Sequence, residues 1–284
     1  QQGYITKRIG YTGDIGRATP QLFCQARVPL PFCDLLIGEN TYNQPKRPNN
    51  PYDRMKDLYK IKAVIEDSDR VLIPCFSLGR TQTMLTILYK MWLNGAVPFN
   101  IKVYVDSPLS QKICNIWDNT DEWDRVMAWE NLHFVGDWNE SQALQQDKSK
   151  AVIISASGFL NGGRVMEWLK VILPSSKNTI LFCGYSGENN LASQIRYGDT
   201  YITLDGKSYP NLANIIELVS FSSHASYEEL LDYYTRECRY SKIALVHGSG
   251  KTKPSFADKL QEILIKMGVS SRVICTNEDT KINL

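Results

Sequence analysis

The chain has 284 residues, of which 43% are hydrophobic and 22% charged, and its formal net charge is +2. This length fits one large or two ordinary domains with a packed core. The near-balance of charge argues against a globally basic nucleic-acid-binding surface, but net charge does not report whether a local basic groove exists. No apolar run approaches the roughly 18 to 20 residues of a membrane helix, and no signal peptide is recognisable, so we expect no membrane partner.

Seven cysteines are scattered along the chain without a Cys-x-x-Cys pair. Most lie in apolar surroundings, as Cys75 does within residues 71–76. This pattern is typical of reduced, buried cysteines rather than of a disulfide framework. It favours a cytoplasmic protein, or a nuclear one if the source is eukaryotic.

Short apolar runs alternate with amphipathic segments over most of the chain. The predicted strands span residues 71–74, 101–105, 151–155, 179–183, 218–221, 243–246 and 272–275. The predicted helices span residues 81–93, 163–173, 227–237 and 255–267. Strands of four or five apolar residues between amphipathic helices indicate an α/β fold with a mostly parallel, covered sheet. A Pro- and Asn-rich loop at 42–52 and a second break at 203–212 are candidate domain junctions.

Two carboxylates stand where predicted elements end. Asp14 follows the glycine turn at Gly13, and Glu39 directly follows the apolar run 35–37. An acidic residue at a strand end could orient a histidine or bind a metal. Alone, each is a weak signal, because a lone carboxylate after a glycine turn is usually a turn residue or a helix cap.

The three histidines are more informative than the carboxylates. His133 lies in an alternating, strand-like stretch, which favours a structural role. His224 and His247 each follow a predicted strand directly. The carboxyl ends of parallel strands share one edge of a sheet, where α/β proteins place their sites. The alternative is that His224 and His247 are ordinary polar residues at the start of loops, with their hydrogen bonds satisfied.

A glycine- and serine-rich segment suggests an anion site. Ser157 and Gly158 leave a predicted strand, and Arg164 stands at the start of the next helix. Free backbone N–H groups and the helix dipole favour an anion there, and Arg164 could add a fork of donors. Such segments are also often no more than turns.

Together these segments resemble the motifs of a known family. Tyr11 to Asp14 (YTGD) is similar to the fourth motif of the metallo-β-lactamase fold. Three further segments resemble motifs A, B and C of the β-CASP group, in this order: GENTY at 38–42, FSSHA at 221–225 and LVHG at 245–248. The intervening blocks VLIPCFSLGR, VYVDSPL, ISASGFLNGGRV and ILFCGYSGE also resemble this group. The resemblance therefore points to the β-CASP family of metallo-β-lactamase-fold nucleases, which includes RNase J and the pre-mRNA 3′-end cleavage endonuclease.

The resemblance implies a fold and a domain order. We expect a partial metallo-β-lactamase αββα fold with an inserted α/β β-CASP domain of mostly parallel sheet. Residues 1–39 and 204–284 would belong to the metallo-β-lactamase fold, and residues 40–203 to the β-CASP domain.

The resemblance also implies the site residues. Asp14 and His247 would bind metal, with two divalent ions, expected to be zinc, in the complete site. Glu39 would orient His224, which protonates the leaving oxygen. Ser157, Gly158 and Arg164 would contact the phosphates of the substrate. The implied activity is metal-dependent hydrolysis of phosphodiesters, with RNA as substrate and partner.

One departure from the family pattern is large. The family carries a His-x-His-x-Asp-His segment before the Asp motif, and this sequence has none. A two-metal site needs about three protein ligands per ion. We therefore expect the N-terminal half to be supplied in cis or in trans, with a homo- or heterodimer as one option, and the chain alone to be inactive. Two alternatives stay open: a non-catalytic RNA-binding or scaffold paralogue, and a same-fold hydrolase of DNA or small esters.

Overall fold

The computed structural model describes residues 6–17, 30–45, 51–117, 120–184, 190–236, 239–277 and 279–283. The strands in chain order are β1 (Ile9–Tyr11), β2 (Cys33–Glu39), β3 (Arg70–Pro74), β4 (Lys102–Asp106), β5 (Leu132–Phe134), β6 (Ala151–Ser155), β7 (Asn178–Phe182), β8 (Tyr201–Leu204), β9 (Lys207–Pro210), β10 (Asn214–Glu217), β11 (Tyr240–Val246) and β12 (Arg272–Cys275). The helices are α1 (Pro51–Asp67), α2 (Arg80–Leu93), α3 (Pro108–Cys114), α4 (Asp121–Met127), α5 (Trp138–Gln146), α6 (Val165–Ile172), α7 (Leu191–Tyr197), α8 (Tyr227–Arg236) and α9 (Lys253–Lys266). The chain forms two compact units, residues 1–50 with 223–284 and residues 51–222.

A four-stranded parallel sheet in the order β1-β2-β11-β12 is the framework of the first unit. The apolar residues of α9 recur on one helical face, which is why this helix buries that face. Phe256, Ala257, Leu260 and Leu264 occupy the face and share a core with Ile243 of β11. The packing of α8 and α9 against this sheet fixes the position of its carboxyl edge.

A six-stranded parallel sheet in the order β10-β7-β3-β6-β4-β5 is the framework of the second unit. Strands β3, β6 and β7 are buried along their whole length, which requires cover on both faces of the sheet. Trp168 and Leu169 of α6 belong to the core on one side, with Leu72 of β3 and Ile180 of β7. Strands β8 and β9 form a separate antiparallel hairpin.

The predicted α/β class with mostly parallel sheets is confirmed. Predicted strands 151–155 and 272–275 coincide with β6 and β12. The strand predicted at 218–221 is wrong, because the sheet is instead extended by β10, in which Ile216 pairs with Leu181. Residues 218 and 221 are buried beyond the end of that strand. The apolar run there therefore reports burial and not strand pairing.

The boundaries of the two units can be set beside the domain boundaries that the resemblance implies. The first unit boundary falls between residues 50 and 51, where α1 begins, and the resemblance places it between residues 39 and 40. The sequence places the second near 203/204, whereas the second unit extends to residue 222. The reason is that residues 201–210 form the β8–β9 hairpin, and β10 then pairs with β7.

Most of the described cysteines are buried. Of the five described cysteines, Cys33, Cys75, Cys114 and Cys183 are buried, as expected, and Cys275 is exposed. Burial raises the pKa of the Cys114 thiol to about 11, against the lowering effect of a hydrogen bond from Gln82. Within the described ranges, none of the helices has the length and apolar character needed to span a bilayer.

Candidate metal centre

Three neighbouring strands of the first unit end at one edge of its sheet. In the parallel register, Tyr11 of β1 pairs with Ile37 of β2, and Val246 of β11 pairs with Glu39 of β2. Asp14 and His247 follow the ends of β1 and β11, so they lie to either side of Glu39 along this edge. This is the crevice edge at which open α/β sheets place their sites.

The turn after β1 presents Asp14. The Thr12 amide donates to the Ile37 carbonyl (3.0 Å), which extends the pairing of β1 with β2 by one bond. The Thr12 hydroxyl accepts a hydrogen bond from the Glu39 amide (3.2 Å) and donates one to the Gly13 carbonyl (2.6 Å). Gly13 has a φ of 58°, a conformation that favours glycine. The turn leaves the Asp14 carboxylate exposed at the strand end.

Glu39 is a buried carboxylate with several hydrogen-bond donors. It is only 1% exposed. The amides of Ile15 (2.6 Å) and Thr41 (3.2 Å) donate to its two oxygens, and Nδ1 of His224 lies 3.2 Å from each of them. Burial opposes ionisation of Glu39, but the hydrogen bonds from His224, Thr41 and Ile15 outweigh burial and hold its pKa below the usual value. Glu39 is therefore an ionised acceptor that fixes the orientation of the imidazole.

His224 is held from its backbone as well as from its side chain. Gly16 and His224 form an isolated antiparallel bridge, and the Ala225 amide donates to the Ile15 carbonyl (2.7 Å). The Tyr42 ring meets the imidazole edge-on, with 5.8 Å between centroids. Because Nδ1 faces Glu39, any bond from this imidazole to a metal or a substrate has to involve Nε2.

Asp14, Glu39 and His224 converge. In the part of the chain that the structure describes, they form one group of candidate metal ligands, with one ligand atom of each within 4.8 Å of the others. Carboxylate oxygen and imidazole nitrogen are donors that suit zinc. Since Glu39 already accepts from two amides and lies against His224, it fits the role of orienting group, whereas metal binding by the exposed Asp14 stays a prediction. The oxygen and nitrogen donors at this edge suit zinc by their chemistry, and Asp14 is the one predicted ligand among these three residues.

His247 lies at the same edge of the sheet but outside the group of three. It follows the last residue of β11 with a φ of 63°, and its side chain is exposed. Left-handed backbone at a residue other than glycine is uncommon and costs free energy. The turn that carries His247 is thus held in a specific conformation rather than being a relaxed loop start.

The predicted phosphate-binding residues all belong to the second unit. The Ser157 hydroxyl donates to Asn161 Oδ1 (2.5 Å). A side-chain carbon on Gly158 would lie 3.2 Å from the Phe76 amide, so the loop after β6 packs closely on the loop after β3. Arg164 is largely buried, and its Nη1 donates to Asp106 Oδ1 (2.6 Å). This structural pairing of Arg164 was not predicted, and phosphate binding by all three residues stays a prediction.

Some contacts of the site were missed by sequence reasoning. Thr12, whose hydroxyl ties the Asp14 turn to Glu39, lies inside a motif that drew attention only for its Asp. Tyr42 stands in the GENTY segment in the same way, beside His224. The Tyr234 hydroxyl donates to the Glu39 carbonyl (2.6 Å) from α8, far along the chain. For Tyr234 the sequence gives no signal, since its place in α8 predicts only a buried face.

Two family models match consecutive parts of the chain. The Beta-Casp domain matches residues 81–195, and the Zn-dependent metallo-hydrolase RNA specificity domain matches residues 209–269. Together they account for more than half of the chain. The fold and these matches define an α/β protein of the metallo-β-lactamase class. Within that class, the chain belongs to the β-CASP family.

Named relatives are similar over most of the chain. Ribonuclease TTHA0252 of Thermus thermophilus is 29% identical over 85% of this chain and 57% of its own length. Transcription termination factor FttA of Methanocaldococcus jannaschii is 30% identical over 91% of this chain and 44% of its own length. Endoribonuclease ysh1 of Schizosaccharomyces pombe is 30% identical over 88% of this chain and 34% of its own length. The chain thus spans about half the length of the first two of these relatives and about a third of the last.

Proposed function

We propose that the chain forms part of a zinc-dependent hydrolase that cleaves RNA phosphodiesters. The observation that carries this proposal is the convergence of Asp14, Glu39 and His224 at the carboxyl edge of a parallel sheet. The matched description of a Zn-dependent metallo-hydrolase RNA specificity domain supports zinc and RNA. The printed names of two relatives, a ribonuclease and an endoribonuclease, support hydrolysis of RNA.

Asp14 and His247 are the proposed metal ligands of this chain. Zinc, when bound, lowers the pKa of a coordinated water towards neutrality and neutralises charge on the phosphate. Two residues cannot complete a centre that needs about three protein ligands per ion. The remaining ligands in our proposal come from a His-x-His-x-Asp-His segment, in cis or in trans.

Glu39 and His224 are the proposed proton-transfer pair. The ionised Glu39 fixes Nδ1 of His224 and leaves Nε2 as the nitrogen that exchanges a proton. Nε2 then carries the proton that is delivered to the leaving oxygen. Loss of such a general acid typically lowers the rate by a factor of about 10² to 10⁴.

The second unit is the proposed β-CASP domain, and the first unit the metallo-β-lactamase part. Ser157 and Gly158 are proposed to contact the phosphates of the RNA through the loop after β6. For Arg164, phosphate contact requires that its guanidinium shares or exchanges its bond with Asp106. We place the protein in the cytoplasm, or in the nucleus of a eukaryotic cell, in keeping with its buried free thiols.

The test compares wild type with His224→Ala in the presence of a segment that carries His-x-His-x-Asp-His, fused or added separately. RNA, DNA and a nitrophenyl ester are assayed side by side, and zinc content is measured. We expect RNA cleavage by the wild type and a loss of about 10² or more in His224→Ala, with zinc content unchanged.

His133→Ala is the matched control for this test. His133 lies in the second unit, and its exposed side chain pairs with Glu140 (2.5 Å). We expect this variant to cleave RNA at the wild-type rate. Wild-type turnover by His224→Ala would overturn the proposed role, and cleavage of DNA or ester in place of RNA would overturn the proposed substrate.

A further inference from the structure

The turn that joins β11 to α9 places His247, and it has an unusual backbone. His247 and Gly248 are both left-handed, with φ of 63° and 72°. A side-chain carbon on Gly248 would lie 1.9 Å from the Asn40 carbonyl oxygen and 2.8 Å from Nδ2 of Asn43. Only glycine fits there, and the turn is pressed against the segment that follows Glu39. A left-handed histidine persists only where its surroundings hold it.

At the surface, Gln44 Nε2 donates to the Thr252 hydroxyl (3.3 Å), and the buried side chain that ties this turn to the segment after β2 is Asn43. Its Nδ2 donates to the Ser249 carbonyl (3.1 Å), and its Oδ1 accepts from the Thr252 hydroxyl (2.5 Å). Asn43 is 4% exposed, so both ends of a buried amide are satisfied by the turn. The amides of Thr252 (3.2 Å) and Lys253 (3.0 Å) also donate to the Ser249 carbonyl, which makes that oxygen the centre of the turn.

We infer that Asn43 is the positioning residue for His247. Asn43 stands four residues after Glu39, so one short segment holds both the carboxylate that orients His224 and the amide that fixes the His247 turn. The bonds of Asn43 reach residues 249 and 252 and leave the imidazole untouched. Asn43 therefore acts on His247 through the backbone. As a role in metal binding, this inference rests on the proposed function.

The small number of histidines makes the inference directly measurable. With only three histidines in the chain, the imidazole nitrogens of His133, His224 and His247 can be followed one by one by ¹⁵N NMR. Asn43→Ala removes both bonds to the turn. We expect the His247 resonances to shift or broaden while those of His133 and His224 stay in place, with no metal or substrate added.

The matched control is Asn178→Ala. Asn178 is also buried, and its Nδ2 donates to the Ile172 carbonyl (3.3 Å) in the second unit. This variant should leave the His247 resonances unchanged. Where Asn43→Ala does not fold, Thr252→Val removes the bonds of the Thr252 hydroxyl to Asn43 Oδ1 and Gln44 Nε2 and keeps the bond from Asn43 to the Ser249 carbonyl. It should move the His247 signals in the same direction by less.

A second measurement separates this inference from the proposed function. In the presence of the His-x-His-x-Asp-His segment, competition with a chelator for Zn²⁺ should show about 10- to 100-fold weaker zinc retention by Asn43→Ala than by wild type. His247 resonances identical to wild type in a folded Asn43→Ala chain would overturn the positioning role. Failure of the wild type to bind zinc would instead defeat the proposed function and leave the NMR result standing.

Discussion

Two buried carboxylates end parallel strands in this chain, one in each compact unit. Glu39 is the last residue of β2 and 1% exposed, and Asp106 is the last residue of β4 and fully buried. Asp106 accepts from Arg164 (2.6 Å), Ser141 (2.5 Å) and Trp168 (2.8 Å). Glu39 accepts instead from two backbone amides and lies against an imidazole.

The partners of the two carboxylates differ in whether they can exchange a proton. A guanidinium is a donor without acceptor capacity, and so is the Trp168 indole N–H. Such a network is static, and it fixes the strand ends of the second unit. Imidazole is, by its ordinary chemistry, a side chain that can exchange protons, and this is the basis of the proton-transfer pair that we propose for Glu39 and His224. Both carboxylates lie at the end of a strand, and they differ in the side chains that surround them.

The difference between Glu39 and Asp106 is tested most strongly by neutralising each carboxylate in turn. Asp106→Asn leaves Arg164 without its counter-charge and faces an amide N–H₂ towards at least one donor. We expect a loss of about 3–5 kcal/mol in the free energy of unfolding, measured by denaturant titration. Glu39→Gln should cost less stability, because it removes no permanent counter-charge, but should lower RNA cleavage about 10- to 100-fold.

A matched double variant checks the first half of this expectation. Asp106→Asn combined with Arg164→Met removes both charges, and it should be more stable than Asp106→Asn alone. A stability loss from Glu39→Gln equal to that from Asp106→Asn would show that the two carboxylates are structural to the same degree.

The packing behind Glu39 offers a second, smaller test. A side-chain carbon on Gly38 would lie 2.2 Å from the Tyr234 hydroxyl oxygen, which donates to the Glu39 carbonyl. Gly38→Ala should therefore cost about 1–3 kcal/mol of unfolding free energy through overpacking. Tyr234→Phe, which removes the hydroxyl, should reduce that cost in a double-mutant cycle. Additive effects of the two changes would contradict the contact.

The smallest expected effect belongs to a third, exposed carboxylate. On α9, Lys266 (2.5 Å) and Lys259 (3.0 Å) hydrogen-bond to Glu262 and lower its pKa to about 2. The pKa of an unfolded glutamate is about 4.3, so this stabilisation is present above that pH and is lost as the pH falls towards 2. Glu262→Gln should lower the thermal midpoint slightly at pH 7, and the difference from wild type should shrink by pH 3.

Salt provides the control for Glu262. Exposed ion pairs are screened, so the difference between wild type and Glu262→Gln at pH 7 should also shrink in 1 M salt. A difference that persists at pH 3 and in high salt would show that the substitution acts by another route. The series from the buried Asp106 to the exposed Glu262 thus measures how the contribution of a carboxylate to stability depends on its burial.

The sequence by itself determined the alternation of elements and the residues at the strand ends. Apolar runs such as 151–154 favour buried strands, and glycine turns mark where such strands stop, although the run at 218–221 shows that burial alone does not make a strand. Asp14, Glu39 and His224 were found on this basis together with the family motifs. Helix α1 was missed because its charged residues obscure a helical apolar pattern.

The tertiary structure alone decided which partner each side chain has. Nothing near Arg164 in the sequence indicates Asp106, which lies 58 residues earlier in the chain. Nothing near Asn43 indicates Thr252, which lies 209 residues later. Hydrogen bonds between distant residues depend on the order of strands in a sheet, and a sequence pattern reports only local period and burial. For that reason the sequence could predict which polar residues follow the strands, whereas it could not predict the hydrogen bonds that hold them.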